Sequence, residues 1–366
     1  MDGPLSLFSP CSLCSSCPPR TLCGAERTVQ ACRDDGDKPF PGGPDLLHPL
    51  SGGLDLWIRA LGGLAFDDVR ARPLTLPALP SYLPQARNRR TLAGHLADSA
   101  YAIRLFEVLR ANRVVPASEI REHLGLAQTQ ALVLILFDSD ATLERIWNAR
   151  ACLEIAHAGY DAVVAPSYSA WIPRPRPELL VSARRSLVYY GLLLDAGVSA
   201  IPRLVWELEH DVRRTAQWAE ANPSVGLVAL DLQTYRARSA WEHQLEGLAR
   251  FDELTKRRIT YLVNGPTTVN RFKALFALVD PHRIRVTNST TQVGLRASRK
   301  ASTGFVTSST PGIRFEAQVG WQNALLTRAR GPDRPAKRTR TPSRGRPPVG
   351  AAAQSLRPRR TRQTMS

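Results

Sequence analysis

The residues whose types and spacing could do chemistry sit where apolar runs turn polar. Asp138 and Asp140 follow 131-ALVLILF-137, and Asp231 closes 225-VGLVAL-230. Carboxylates brought to neighbouring strand ends can share a proton, bind a divalent cation or work as an acid and base. Asp138 and Asp231 are therefore the catalytic candidates. Ser167 and Ser169 beside Tyr168, Gln233, Asn264 with Gly265, and Asn288 with Gln292 supply neutral groups of the kind that grip a base, sugar or amide. Trp206, like Trp171, offers an aromatic face for a planar ligand and serves core packing equally well. These residues, together with Asp140, form the ligand-binding set. The competing role for Asp138 and Asp140 is capping of the next helix, and Glu144 in its first turn points that way. His157, His210, His243 and His282 fall in helices or at their ends, which assigns them to surfaces and caps.

A second chemistry lies near the amino end, where Cys11, Cys14, Cys17, Cys23 and Cys32 account for five of the six cysteines. Thiolates two residues apart reach one metal from a short loop; structural zinc takes four such ligands, and iron–sulfur clusters take related runs. The run Cys11, Cys14, Cys17, Pro18 matches part of a bacterial ferredoxin pattern, but the fourth cysteine falls at another distance and no second pair follows at zinc-ribbon spacing. A zinc or iron–sulfur cofactor and a leader without any shared ligand both stay open. Disulfides fit a reducing cytosol poorly. Cys152 reads as a small core residue.

The elements that must position these groups follow from an alternation. Six β-rich runs, at 131–140, 161–169, 198–207, 225–234, 258–268 and 283–292, are separated by helix-like stretches. Helices are expected over 142–157 and 178–194, with Gly159 and Gly197 at their carboxyl ends. Others are expected over 211–220 with Asp211 as the cap, over about 240–256, and over 269–278. Upstream, 91–111 has helical spacing, and a short helix is expected near 118–126. The fold class is α/β, a parallel β/α repeat, with a TIM-like barrel first and an open doubly wound sheet second. Eight strands result if the proline-spaced segment 73–85 and a late strand at 313-IRFEAQV-319 join. In either architecture the carboxyl edge of the strands is the ligand face. No G-x-G-x-x-G, P-loop or nucleophile elbow is present.

The expected organisation is a Cys-rich leader over 1–40, an amino-terminal cap and lead-in strand over 41–130, the β/α core over 131–326 and a basic tail over 327–366. That tail carries twelve Arg or Lys against Asp333, hence +11 of the formal net charge of +17. Its Pro, Gly, Ser and Arg composition lacks apolar periodicity, so it is expected to be disordered. Such an arm attracts nucleic acid through phosphate contacts, and serves equally as a solubilising extension. Arg87, Arg89 and Arg90 read as a solvated turn that could also touch an anionic ligand. No stretch approaches the roughly 20 apolar residues of a membrane helix, and the first residues, MDGPLSLFSPCSLC, lack the basic region of a secretory signal. A cytoplasmic protein without a membrane partner is expected.

Four blocks carry a resemblance: 137-FDSDATLERIW-147, 161-DAVVAPSYSAWIPRP-175, the 185–191 helix with 197-GVSAIPRLVW-206, and 262-LVNGP-266. In order and spacing they resemble domain-of-unknown-function family 4417 of bacterial and phage proteins, over under half of the chain. That family typically shows a proline, an acidic residue and a serine in the second block. Pro166 and Ser169 match here, while the acidic position reads Ser167 or Tyr168. The resemblance implies the architecture and brings no reaction with it. A barrel with aspartates on this face is also loosely similar to base-exchanging transglycosylases, whose late zinc-ligand pattern is absent here, and that likeness is one of fold alone. Two functions follow as expectations: an enzyme acting on a nucleotide, nucleobase or nucleic-acid component through Asp138 and Asp231, or a non-catalytic nucleic-acid-binding or accessory protein of a phage or mobile element.

Overall fold

The computed structural model describes residues 61–86, 98–110, 113–168, 176–289 and 311–331. The cysteines of the leader, Arg87, Arg89, Arg90, Ser169, Trp171, Gln292 and the basic tail beyond 331 lie outside the described residues.

Mixed α/β structure with parallel sheets emerges, and each of the six expected runs contains a strand. In chain order the elements begin with β1 (Ala100–Arg104), α1 (Leu105–Val108), β2 (Leu109–Arg110), β3 (Arg113–Val114) and α2 (Ala117–Leu124). The repeat follows: β4 (Ala131–Ile135), α3 (Asp140–Asn148), α4 (Cys152–His157), β5 (Ala162–Val164), α5 (Arg176–Asp195), β6 (Ala200–Ile201) and α6 (Glu209–Ala221). It continues through β7 (Leu227–Asp231), α7 (Arg238–Leu254), β8 (Thr260–Asn264), α8 (Val269–Leu278), β9 (Ile284–Thr287) and α9 (Pro311–Arg330). One parallel sheet has the order β1-β4-β5-β6 and the other β7-β8-β9, while β2 and β3 form a small antiparallel ribbon.

Isolated parallel bridges extend both sheets. Tyr82 bridges to Val286 of β9 and Gln85 to Ala102 of β1, so the lead-in segment runs between them. Its backbone bonds both ways, Leu83 N donating to Val286 O at 2.8 Å and Ala86 N to Ala102 O at 2.8 Å. On the other side Arg203 bridges to Ala229 of β7, with Ala229 N bonded to Pro202 O at 2.9 Å and Leu204 N to Ala229 O at 2.8 Å.

Strand side chains alternate between two cores, as the period of two requires. Ala100, Ala102, Ala131, Val133, Ala162, Val164, Ile201, Ala229 and Leu262, drawn from both sheets, pack into one cluster. The intervening Tyr101, Ile103, Leu132, Leu134, Val163, Val228, Leu230, Tyr261, Val263 and Val286 join the larger cluster that the helices cover. Small residues dominate the first cluster and large ones the second.

Four expectations are corrected. The 91–111 segment is not one helix: its middle is β1, paired with β4 from Ala100↔Ala131 to Arg104↔Ile135. Tyr101 and Ile103 fit a period of two as well as a helical one, and sheet pairing decides between them. The segment 313–319 is not a strand but the start of α9. Phe315, Gln318, Val319, Gln322, Leu326 and Ala329 are all buried, and their spacing makes one helical stripe, packed on α8. The single helix over 142–157 is two, broken where Arg150 takes a left-handed φ of 49°. Asp211 lies in the first turn of α6 rather than at its cap, its Oδ2 accepting from Leu208 N at 3.0 Å and Glu207 N at 3.1 Å. No helix among the described residues is long and apolar enough to cross a membrane.

Candidate functional site

The last residues of β7, β8 and β9 are in register, Asp231 opposite Asn264 and Asn264 opposite Thr287. Register in a parallel sheet puts three polar side chains side by side at one level of the carboxyl edge. They are joined directly. Asn264 Nδ2 donates to Asp231 Oδ1 at 2.8 Å and to Gln233 Oε1 at 3.3 Å. Gln85, from the lead-in segment, donates Nε2 to Asn264 Oδ1 at 3.1 Å and to Thr287 Oγ1 at 3.2 Å. Ser167, three residues beyond the end of β5, donates Oγ to Asp231 Oδ2 at 3.1 Å, and Gln233 N approaches Oδ1 at 3.3 Å. A row of side-chain hydrogen bonds therefore runs Ser167, Asp231, Asn264, Gln85, Thr287. Asp231, Ser167 and Gln233 are half-buried, which leaves this row within reach of a small molecule.

Gly265 is what allows the row to form. Its φ is +118°, and a Cβ there would stand 2.5 Å from Gln233 N. Only glycine lets the turns after β7 and β8 pass so closely.

Arg203 completes the edge after β6. The residue is half-buried, yet Nε and Nη1 are shielded from solvent and have no hydrogen-bond partner. Burial pushes its pKa down, while the charges of Tyr235, Asp231 and Asp140 pull the other way. Burial likewise raises the Tyr235 phenol, with Arg203 opposing it and Asp231 and Glu207 adding to the rise. Tyr235 thus stays a neutral O–H at ordinary pH. It also lines a half-open cavity of about 680 Å³ bounded by α5, α6, α7 and the turns after β6 and β7, with Leu180, Ala183, Trp206, Arg214, His243 and Gln244 among its walls. The cavity is mostly apolar, and its wall residue Tyr235 stands within electrostatic range of Asp231.

The remaining candidates are placed elsewhere. Asp138 ties the turn after β4 to α1, Oδ2 accepting from Phe106 N at 2.9 Å and Oδ1 from Ser139 N at 2.7 Å. Asp140 is buried as the first residue of α3. The cap itself is Ser139, whose Oγ accepts from Thr142 N at 3.3 Å. Glu144 is the counter-ion of Arg185, with Nη1 to Oε1 at 2.6 Å, and that guanidinium also lies 4.0 Å from the centre of the Tyr168 ring. Asn288 is buried behind the row: Tyr82 Oη donates to it at 3.0 Å, and its Nδ2 donates to Pro266 O at 2.8 Å and to Gln322 Oε1 of α9 at 3.2 Å. Trp206 stacks on Phe251 at 6.2 Å and, of the residues expected at the site, is the one that lines the cavity.

Sequence reasoning missed Gln85, Arg203, Tyr235 and Thr287. Three of them obey the rule that found Asp231, being polar residues that end an apolar run: Gln85 closes 73–85, Arg203 follows Ile201-Pro202, and Thr287 follows Val286. Among the described residues no three His, Cys, Asp or Glu side chains gather as a metal site. No protein-family model and no curated protein matches this chain.

Proposed function

We propose that this chain is a β/α-barrel enzyme acting on a small polar ligand of the nucleotide or nucleobase class at the carboxyl edge of its strands. Asp231 is the reacting carboxylate in this reading. The observation that carries it is the in-register row of Asp231, Asn264 and Thr287, extended by Ser167 and Gln85. A carboxylate whose two oxygens are oriented by fixed donors, on rigid strands, is held in one geometry for proton transfer or attack. Asn264, Gln233 and Gln85 present amides of the kind that match base or sugar edges. The apolar cavity that Tyr235 lines is of the size that takes a drug-sized molecule. Closure into a barrel is supported by the bridges at Tyr82, Gln85 and Arg203 and by the small inner residues that the two sheets share.

The test is a ligand panel. Nucleobases, nucleosides and nucleotides are titrated against the full chain while its melting temperature is followed. Saturable stabilisation by one class is expected; no response to any member removes this reading of the ligand.

A second reading, nucleic-acid binding without catalysis, draws on a separate observation: +11 of the net charge of +17 lies in residues 327–366.

A further inference from the structure

We propose that the Arg203 guanidinium is the receptor for an oxyanion of the ligand, a phosphate or carboxylate group bound beside Asp231; the inference rests on reading this face as the ligand site.

The backbone of Arg203 is fixed on both sides by the hydrogen bonds that join Pro202 and Leu204 to Ala229, so its side chain springs from a rigid point between β6 and β7. Its Nε and Nη1 are buried and unbonded. Arginine cannot shed its proton in this setting and carries five donors, and a buried charged donor left unmade is costly. Other buried arginines each bond at least one acceptor of the protein, Arg185 reaching Glu144 and Arg214 reaching Asp211. Arg104, at the end of β1, donates Nε and Nη2 to Phe137 O at 3.1 and 2.7 Å. Arg283 donates to Ile259 O at 2.8 Å and to both oxygens of Asp252 at 2.7 Å. Arg184 donates to Leu61 O at 2.9 Å, Ala65 O at 2.6 Å and Asp68 Oδ1 at 2.6 Å.

Arg203 has carboxylates within electrostatic range and bonds to neither. Asp231 has both oxygens engaged by Ser167, Asn264 and Gln233, and Asp140 is held in the first turn of α3. These two charges stabilise the cation without taking its donors. An acceptor brought by a ligand completes them. The guanidinium favours oxyanions, whose geometry and charge match its fork. Tyr235, kept neutral by burial, stands within the same electrostatic field. An anion here must compensate for two nearby carboxylates, so it is held by direct hydrogen bonds rather than by net charge.

The experiment compares the full chain with its Arg203→Met and Arg203→Lys variants, using inorganic phosphate and acetate as probes and following melting temperature and titration heat. All three proteins carry the same basic tail, so anion bound there cancels in the comparison. The unsubstituted chain should show saturable stabilisation, by phosphate alone if the ligand carries a phosphate and by acetate alone if it carries a carboxylate. Arg203→Met should weaken the apparent affinity about 10- to 100-fold, the worth of a charge-assisted hydrogen bond, and Arg203→Lys should recover part of it. Equal response in all three proteins, or no response in the unsubstituted chain, overturns the proposal. Should the methionine variant not fold, the lysine variant alone decides: unchanged affinity there counts against the fork geometry. Failure of the catalytic reading is separable, because it would show as turnover that survives Asp231→Asn while the Arg203 dependence of anion binding persists.

Discussion

At Gly265 a single missing carbon decides whether the candidate site exists. The residue sits at a φ of +118°, with the Gln233 backbone where a side chain would begin. Gly265→Ala must therefore both strain its own backbone and push Gln233 away from Asp231 and Asn264. We expect a loss of about 2–4 kcal/mol, read from urea unfolding, together with weaker ligand binding. A loss under about 0.5 kcal/mol, the scale of a neutral surface change, would show that the two turns can part freely. At the same scale, Asp231 and Asn264 were legible because each ends an apolar run, whereas Gln85 was not, since its partners Asn264 and Thr287 lie 179 and 202 residues away in sequence. Asp138 shows the opposite limit. The same rule selected it, and its carboxylate accepts from the backbone N–H groups of Phe106 and Ser139, the first of them 32 residues away and so not legible locally.

At the scale of elements, polar endings located the strands well and helical periodicity located the helices less well. The six runs from 131 to 292 each hold a strand because long β-branched stretches allow little else. Ala100–Arg104 escaped because five residues with alanine at alternate positions satisfy either period, and the pairing with β4 that settles the matter is not local. The 313–319 segment escaped for the converse reason, its alternation belonging to a helical stripe that continues to Ala329. Asn288 joins that helix to the sheet through Tyr82, Pro266 and Gln322. Replacing it with alanine leaves buried partners unsatisfied and should cost about 1–3 kcal/mol, measured by thermal or urea unfolding. Because Asn288 lies behind the row, affinity for the ligand should stay within about twofold, below the worth of one neutral hydrogen bond. A large loss of affinity with unchanged stability would move Asn288 into the site.

At the scale of the whole chain, charge and catalysis are assigned to different segments. The tail holds +11 of the net charge of +17, and the strand ends hold the proposed chemistry. Deleting residues 332–366 should weaken DNA and RNA binding about equally across sequences and flatten its dependence on salt, because phosphate contacts carry little base information. Identical salt titrations for the full and shortened chains would give the tail a solubilising role and transfer any nucleic-acid binding to the core. Turnover of a small ligand should be unaffected by the deletion.

The carboxyl edge itself is tested most directly by Asp231→Asn, a substitution that keeps the shape of the side chain and removes its charge. With the ligand class that stabilises the unsubstituted chain, turnover should fall about 10²- to 10⁴-fold while the ligand still binds and the melting temperature changes little. Turnover that survives the substitution would contradict the assignment of Asp231 as the reacting carboxylate.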